Sequence, residues 1–114
     1  MKPEKFTELY FEDNTHLPIK INKDLLNKPI ADLYSFRFTI HNLENKDMKY
    51  TYAVYLLDPE KIIFDQGEIN IKINESKTID EKFYMPSIYP RTKVVVNLVD
   101  QNQLIFFWMK EKLQ

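Results

Sequence analysis

The clearest regularity along the chain is an alternation of apolar and polar side chains with a period of two residues. Within residues 33–43 one set of alternate positions is apolar: Tyr34, Phe36, Phe38 and Ile40. The positions between them are more polar: Ser35, Arg37, Thr39 and His41. Because successive side chains of a strand point to opposite faces of a sheet, this pattern predicts an antiparallel strand with one buried face and one wet face.

Similar short runs, separated by Asn, Asp and Pro, recur along the chain and predict seven strands. Their expected ranges are 6–11, 33–43, 48–57, 68–73, 77–85, 92–99 and 104–110. The first range also fits a helical turn, residues 17–21 are a candidate continuation of it, and residues 62–64 lead into the fourth strand. Residues 22–29 are expected to form a loop or a single helical turn.

The same alternation predicts which side chains face the core. The inward sets are expected to be Tyr50, Tyr52, Val54 and Leu56 in the third strand, Ile69, Ile71 and Ile73 in the fourth, and Ile79 and Phe83 in the fifth. Pro86 and Pro90 mark a corner where the chain passes between sheets. Gly67 is the only glycine, so turns that need a positive φ are expected to use Asn or Asp.

Seven short strands without a long helix predict an all-β fold, an immunoglobulin-like or fibronectin-type antiparallel β-sandwich that forms a single domain over residues 1–114. A chain of 114 residues with 44% hydrophobic residues can bury one sizeable core. The absence of cysteine, together with a Trp in the last strand, argues against an antibody-type domain.

Charge and composition exclude several classes of function. Sixteen basic and seventeen acidic residues alternate along the chain and leave a net charge of -1, so no nucleic-acid partner is expected. No run approaches the ~20 apolar residues of a membrane span. Any membrane attachment would therefore use an anchor absent from this chain.

Candidate chemistry is sparse, and we predict no catalytic residue, cofactor or metal site. His16 and His41 have no partner at ligand spacing and are expected at the surface. The acidic pairs lie beside lysines and are expected to be solvated, without the raised pKa of an acid catalyst: Asp58 with Glu60, Asp65 with Glu68, and Asp80 with Glu81.

Four segments carry a resemblance to a known family: FTELYF at 6–11, FTIHNLENKDMKYTY at 38–52, NESKTIDEKF at 74–83 and KVVVNLVDQNQLIFFW at 93–108. Together they resemble the immunoglobulin-like domain of the domain-of-unknown-function 1616 family of archaeal and bacterial membrane-anchored proteins. The resemblance implies an extracytoplasmic setting and an anchor upstream of residue 1. It implies no catalytic residues, because the family has no established activity.

The last two strands are anomalous because both of their faces are apolar, whereas a sandwich strand should have one wet face. If both strands share a sheet with residues 48–57, the outer face would present four residues as one patch: Tyr55, Val95, Phe106 and Trp108. This patch would either be open to a partner or be covered by residues 22–29 or by the N-terminal arm.

Three functions are consistent with these observations. The first is a non-catalytic structural or protein-interaction module, with a protein partner or a second copy on the patch. The second is a glycan- or small-ligand-binding module that uses an aromatic sheet face and would require a concave groove. The third, an enzyme, would require a buried and perturbed carboxylate or histidine cluster in a cleft.

Overall fold

The computed structural model describes residues 5–12, 18–23, 29–57, 60–86 and 91–110, with strand side chains at 18–33, 84–86 and 110 outside the description. Within these residues the chain forms eight strands in two antiparallel sheets, and the predicted all-β sandwich is confirmed. The strands are β1 (Phe6–Phe11), β2 (Pro18–Lys23), β3 (Pro29–Leu43), β4 (Met48–Leu57), β5 (Ile62–Ile71), β6 (Ser76–Pro86), β7 (Arg91–Leu98) and β8 (Gln103–Lys110).

The first sheet is built around the long strand β3. Strand β1 pairs with the end of β3 that runs from Phe38 to Leu43, and β2 pairs with the start of β3 on the same side. Strand β6 pairs along the opposite side of β3. Strands β1 and β2 therefore fill one strand position, as expected if residues 17–21 continue the first strand, and the described sandwich has seven strand positions.

The second sheet has the order β5-β4-β7-β8. The chain passes between sheets after β3, β5 and β6, and the crossing between β6 and β7 agrees with the predicted corner. Strand β5 pairs with β4 and not with β6. This arrangement differs from the constant-type immunoglobulin order, in which the equivalent strand joins the other sheet. The fibronectin-type alternative is therefore the better description.

Two local predictions need correction. Strand β3, predicted to begin at Leu33, begins at Pro29, and Asn22 and Lys23 belong to β2, so part of the segment expected to be a loop is strand. Proline is tolerated as the first residue of a strand, because no earlier ladder bond is required there. Residues 24–28 lie outside the described part. Strand β5 ends at Ile71, and Ile73 lies exposed in the following turn.

The core lies between the two sheets and contains most of the predicted inward side chains. The buried cluster includes Phe36, Phe38, Ile40, Tyr50, Val54, Leu56, Ile71, Phe83, Val94, Val96, Leu98 and Met109. Tyr34, Tyr52, Ile69, Ile79, Ile105 and Phe107 pack against it. Edge-to-face aromatic contacts join the sheets, since the Phe107 ring lies 5.5 Å from that of Phe36.

One end of the sandwich is fixed by a buried amide. Asn42 is fully buried, and its side-chain nitrogen donates to the carbonyls of Lys46 and Ile71 at 2.7 and 2.9 Å. Its side-chain oxygen accepts from the Glu44 amide at 2.9 Å. The amide thus ties β3 to the turn before β4 and to the end of β5, where the two sheets meet.

Asparagine supplies the left-handed positions of the turns, as the sequence predicted. Asn45, Asn74 and Asn102 have φ values of 66°, 64° and 51°. Asparagine tolerates this region better than other non-glycine residues. The turn that connects β7 to β8 contains the short 3-10 helix Val99–Gln101.

Candidate functional site

Four predicted patch residues are brought together on the outer side of the second sheet. Tyr55 pairs with Val95 across β4 and β7, and Val95 pairs with Phe106 across β7 and β8. Trp108 lies two residues beyond Phe106 on the same face of β8. We call Tyr55, Val95, Phe106 and Trp108 the outer aromatic face.

The four residues differ in exposure: two are available as a contact surface, and the other two lie beneath them. Phe106 and Trp108 are 46% and 41% exposed. Tyr55 and Val95 are only 8% and 2% exposed, although they point away from the core cluster. The described parts of the predicted covers, residues 5–11 and 22–23, belong to the other sheet. Within the described ranges, therefore, neither predicted cover lies over the two large rings at the edge of the sheet, and the two inner residues form their base.

Basic side chains lie over these rings. The Lys93 Nζ atom lies 3.8 Å from the centre of the Phe106 ring, and the Arg91 Cζ atom lies 4.7 Å from that of Trp108. The Lys61 Nζ atom lies 4.5 Å from the centre of the Tyr55 ring. Such contacts are each worth about 0.5–1 kcal/mol at exposed sites. They make the aromatic surface electropositive as well as apolar.

The apolar surface continues beyond the outer aromatic face, across the sheet onto β5 and along β8. Ile63 pairs with Tyr55 from β5 and is 48% exposed, and Leu104 on β8 is 51% exposed. The outward positions of the described strands β7 and β8 carry no carboxylate: Arg91, Lys93, Val95, Asn97, Leu104, Phe106 and Trp108. This half of the face therefore has one sign of charge.

A second cluster lies inside the sandwich and corrects the prediction for the acidic pairs. Glu81 lies between the inward residues Ile79 and Phe83 and is only 5% exposed, so it is not part of a solvated pair with Asp80. Burial, a hydrogen bond to Asp65, and the charges of Asp65 and Asp80 raise the pKa of the Glu81 carboxyl to about 9. Glu81 is thus a protonated acid at neutral pH.

Tyr52 and the single glycine complete this cluster. The Tyr52 hydroxyl hydrogen-bonds to Asp65, and burial together with the charges of Asp65 and Glu81 raises the pKa of Tyr52. A β-carbon on Gly67 would lie 3.2 Å from the Tyr52 hydroxyl oxygen. The missing side chain at Gly67 therefore makes room for the hydroxyl on the inner side of β5.

The carboxyl cluster does not have the geometry of a glycosidase centre. Retaining and inverting glycosidases hold their two carboxyl groups about 5 Å apart or more, to leave room for the sugar or for water. The Asp65 and Glu81 carboxyl groups are instead joined by a direct hydrogen bond. The Glu81 Oε2 atom is buried and has no hydrogen-bond partner among the described residues. The arrangement suits a shared proton inside the fold.

The remaining candidate residues have simpler environments. His41 lies at the surface, as predicted, with its Nδ1 atom 2.9 Å from the Glu8 Oε1 atom, and His16 lies outside the described residues. In the described ranges, no three His, Asp or Glu side chains are grouped as a metal ion would require. No helix in the part of the chain that the structure describes has the length and apolar character to cross a membrane.

Comparison with known proteins supports the fold. The sequence matches no family model and no curated protein. Solved structures with the same fold include a β-glucosidase from Listeria innocua, with a TM-score of 0.64 and 16% identity over 96% of this chain. A β-glucosidase from Kluyveromyces marxianus, in complex with glucose, has a TM-score of 0.61 and 14% identity over 96% of this chain.

The similarity covers only a small part of those enzymes. The chain spans 16% of the length of the Listeria innocua structure and 14% of that from Kluyveromyces marxianus. A β-glucosidase of intestinal bacteria involved in saponin metabolism is similar in the same way, at 8% identity and with 16% of its chain covered. At these identities the likeness shows the fold alone.

Proposed function

We propose that this domain is a non-catalytic interaction module of a larger protein and that the outer aromatic face is its docking surface. The observation that carries the proposal is the exposure of Phe106 and Trp108, which lie on the same face of β8 beside the buried Val95 of strand β7. Apolar patches of this kind on a folded domain mark interaction sites, and Trp and aromatic anchors dominate binding energy.

The exposed area is large enough to matter energetically. A Phe or Trp side chain buries about 150–250 Å² in a core, and Phe106 and Trp108 keep somewhat less than half of their surface exposed. Burying this exposed part in an interface would contribute about 2 kcal/mol to the binding free energy for each ring. The sheet holds both rings in place beforehand, so little side-chain entropy would be lost on binding.

The role of a part within a larger protein is supported by two observations. In the structurally similar β-glucosidases the matching region is about one sixth of the chain, so the fold occurs there as a portion of a longer polypeptide. The resemblance to the domain-of-unknown-function 1616 family supports an extracytoplasmic module of a membrane-anchored protein. Protease added to intact cells should degrade this domain, as detected with an antibody to it. Full protection from the protease would refute an extracytoplasmic location.

The test of the docking role uses the double variant Phe106→Ser with Trp108→Ser. If both rings serve a surface function, the variant should fold and lose about 1–2 kcal/mol in urea denaturation, because neither ring belongs to the core cluster. Phe36→Ser is the matched control, since that ring is buried and its loss should unfold the domain. An unfolded double variant would show that the outer aromatic face is structural.

The non-catalytic role has a separate test. Hydrolysis of an aryl β-glucoside by the wild type would refute it.

A glycan-binding module is the second candidate, and the exposed indole of Trp108 favours it. Against it, the Lys93 and Arg91 side chains lie over the rings of Phe106 and Trp108, where a sugar ring would have to stack. Titration with β-glucan oligosaccharides, followed by Trp108 fluorescence, separates the two functions. Saturable quenching, together with binding that is measured by calorimetry and lost in Trp108→Ser, would support glycan binding and displace the protein-interaction proposal.

A further inference from the structure

Strand β8 is an edge strand without the features that usually protect a sheet edge. It is the last strand in the order β5-β4-β7-β8, and its residues QLIFFWMK contain no proline, no glycine and only one charged residue, at its end. The opposite edge strand, β5, has a register irregularity beside Tyr55 and contains Gly67, Asp65 and Glu68. Long apolar edges of the β8 kind are templates for pairing with another strand.

The side chains of β8 are complementary to a second copy of the same strand. We propose that two copies of this domain pair through antiparallel β8 strands, with Phe106 of one copy facing Phe106 of the other across a two-fold axis. The proposal rests on the docking role proposed above and names its partner. The two four-stranded sheets would then form one continuous eight-stranded sheet.

The proposed register places apolar residues opposite apolar residues on both faces. On the outer face, Leu104 of each copy would lie opposite Trp108 of the other, beside the central Phe106 pair. On the inner face, Ile105 would lie opposite Phe107. Directly opposed aromatic and aliphatic pairs stabilise antiparallel strands. A shift by one residue would place inner side chains opposite outer ones. Centring the pair on Ile105 would place Gln103 opposite Phe107, and centring it on Phe107 would place Leu104 opposite Lys110, so the Phe106-centred register gives the best apolar match.

Charge also favours the antiparallel orientation. Arg91 pairs with Lys110 at one end of the β7–β8 hairpin, and Asp100 lies in the turn at the other end. In the antiparallel arrangement the basic end of one copy would lie beside the acidic turn of the other. A parallel arrangement would place the two basic ends together. The net charge of -1 gives little general repulsion between copies.

Contacts with β1 hold β8 ready for this pairing. The Gln103 side chain donates to the Thr7 carbonyl at 2.9 Å, and the Phe11 ring lies 5.0 Å from that of Phe107. Both contacts use side chains on the inner face of β8. Apart from its ladder with β7, the described β8 backbone makes no backbone hydrogen bond within the described residues. Among the described residues, therefore, no strand pairs with the outer edge of β8.

The test combines sedimentation with site-specific cross-linking. Wild-type protein should pass from monomer to dimer as its concentration rises, and Phe106→Lys should raise the dimer dissociation constant about 100-fold or more, because each dimer would contain two opposed lysines. The chain contains no cysteine, so Phe106→Cys carries a single thiol. A short bis-maleimide should convert Phe106→Cys to covalent dimer in dilute solution. Ile63→Cys, equally exposed on the opposite edge, should remain monomeric.

The outcomes distinguish this proposal from the docking role. A wild type that stays monomeric into the millimolar range would overturn strand pairing, while a folded Phe106→Ser, Trp108→Ser variant would leave the docking role standing for another partner. Equal cross-linking of Phe106→Cys and Ile63→Cys would also overturn the pairing, because it would show random collision. An unfolded Phe106→Ser, Trp108→Ser variant would overturn both proposals.

Discussion

Replacing Glu81 with glutamine should change how the stability of the domain depends on pH. The folded protein keeps the Glu81 proton up to a pKa of about 9, whereas the unfolded chain releases it near the ordinary value of 4.5. Between these values the folded state binds more protons, so the free energy of unfolding falls as pH rises. The stabilising contribution of the protonated form is complete below pH 4.5 and is lost progressively towards pH 9.

The magnitude follows from the width of this window. Each pH unit inside it corresponds to about 1.4 kcal/mol, so the wild type should lose up to about 4 kcal/mol between pH 5.5 and pH 8.5 from Glu81 alone. Partial opening of the cluster to water would reduce this to about 2 kcal/mol. For a domain of this size the change in Tm would be roughly 8–16 °C. Glutamine has the same shape and remains neutral, so Glu81→Gln should lack this loss.

The assay is urea denaturation at pH 5.5, 7 and 8.5, followed by circular dichroism. Glu81→Gln should become more stable than the wild type as pH rises, because its amide can still donate to Asp65. Glu60→Gln removes one exposed carboxylate and controls for the change in net charge. If the profiles of Glu81→Gln and the wild type are parallel across this range, Glu81 is ionised in the folded state and the account of the cluster is wrong.

Three further substitutions test packing and buried hydrogen bonds. Gly67→Ala should lower stability by about 1–2 kcal/mol, because the new methyl group crowds the Tyr52 hydroxyl, and a double-mutant cycle with Tyr52→Phe should recover most of that loss. Asn42→Ala should cost about 2–4 kcal/mol in urea denaturation, since three hydrogen bonds are lost, and a cost under 1 kcal/mol would contradict its role. Thr7→Val should cost about 1–3 kcal/mol by leaving the buried Tyr50 hydroxyl unpaired, and Thr7→Ser should restore stability.

Alternation along the chain was sufficient to predict most of the fold. The inward sets of β3 and β4 follow directly from a period of two residues, whereas β7 and β8 are apolar on both faces, so alternation alone does not assign their inward face. The Asn-rich turns were predictable because few residues adopt a positive φ. The boundaries near Pro29 and Ile73 were less predictable, since they depend on pairing with distant strands and not on local pattern.

The candidate sites also contain residues that could be predicted from the sequence and residues that could not. The four outer aromatic residues could be placed together once β4, β7 and β8 were assumed to be neighbours. A signal for Glu81 was also present, because alternation assigns it to the same face as Ile79 and Phe83. Its partner Asp65 could not be predicted, because Asp65 faces it from the other sheet and its position depends on the irregular register beside Tyr55.

The use of asparagine in the left-handed turns has a consequence for the unfolded chain. Glycine in place of Asn45, Asn74 or Asn102 would adopt the same φ without strain. It would, however, give the unfolded polypeptide more conformations to lose on folding. Each non-glycine residue at a compatible turn position limits that loss by about 0.4–1 kcal/mol. A chain with one glycine therefore obtains part of its stability from a restricted unfolded ensemble, which no contact in the native sandwich reveals.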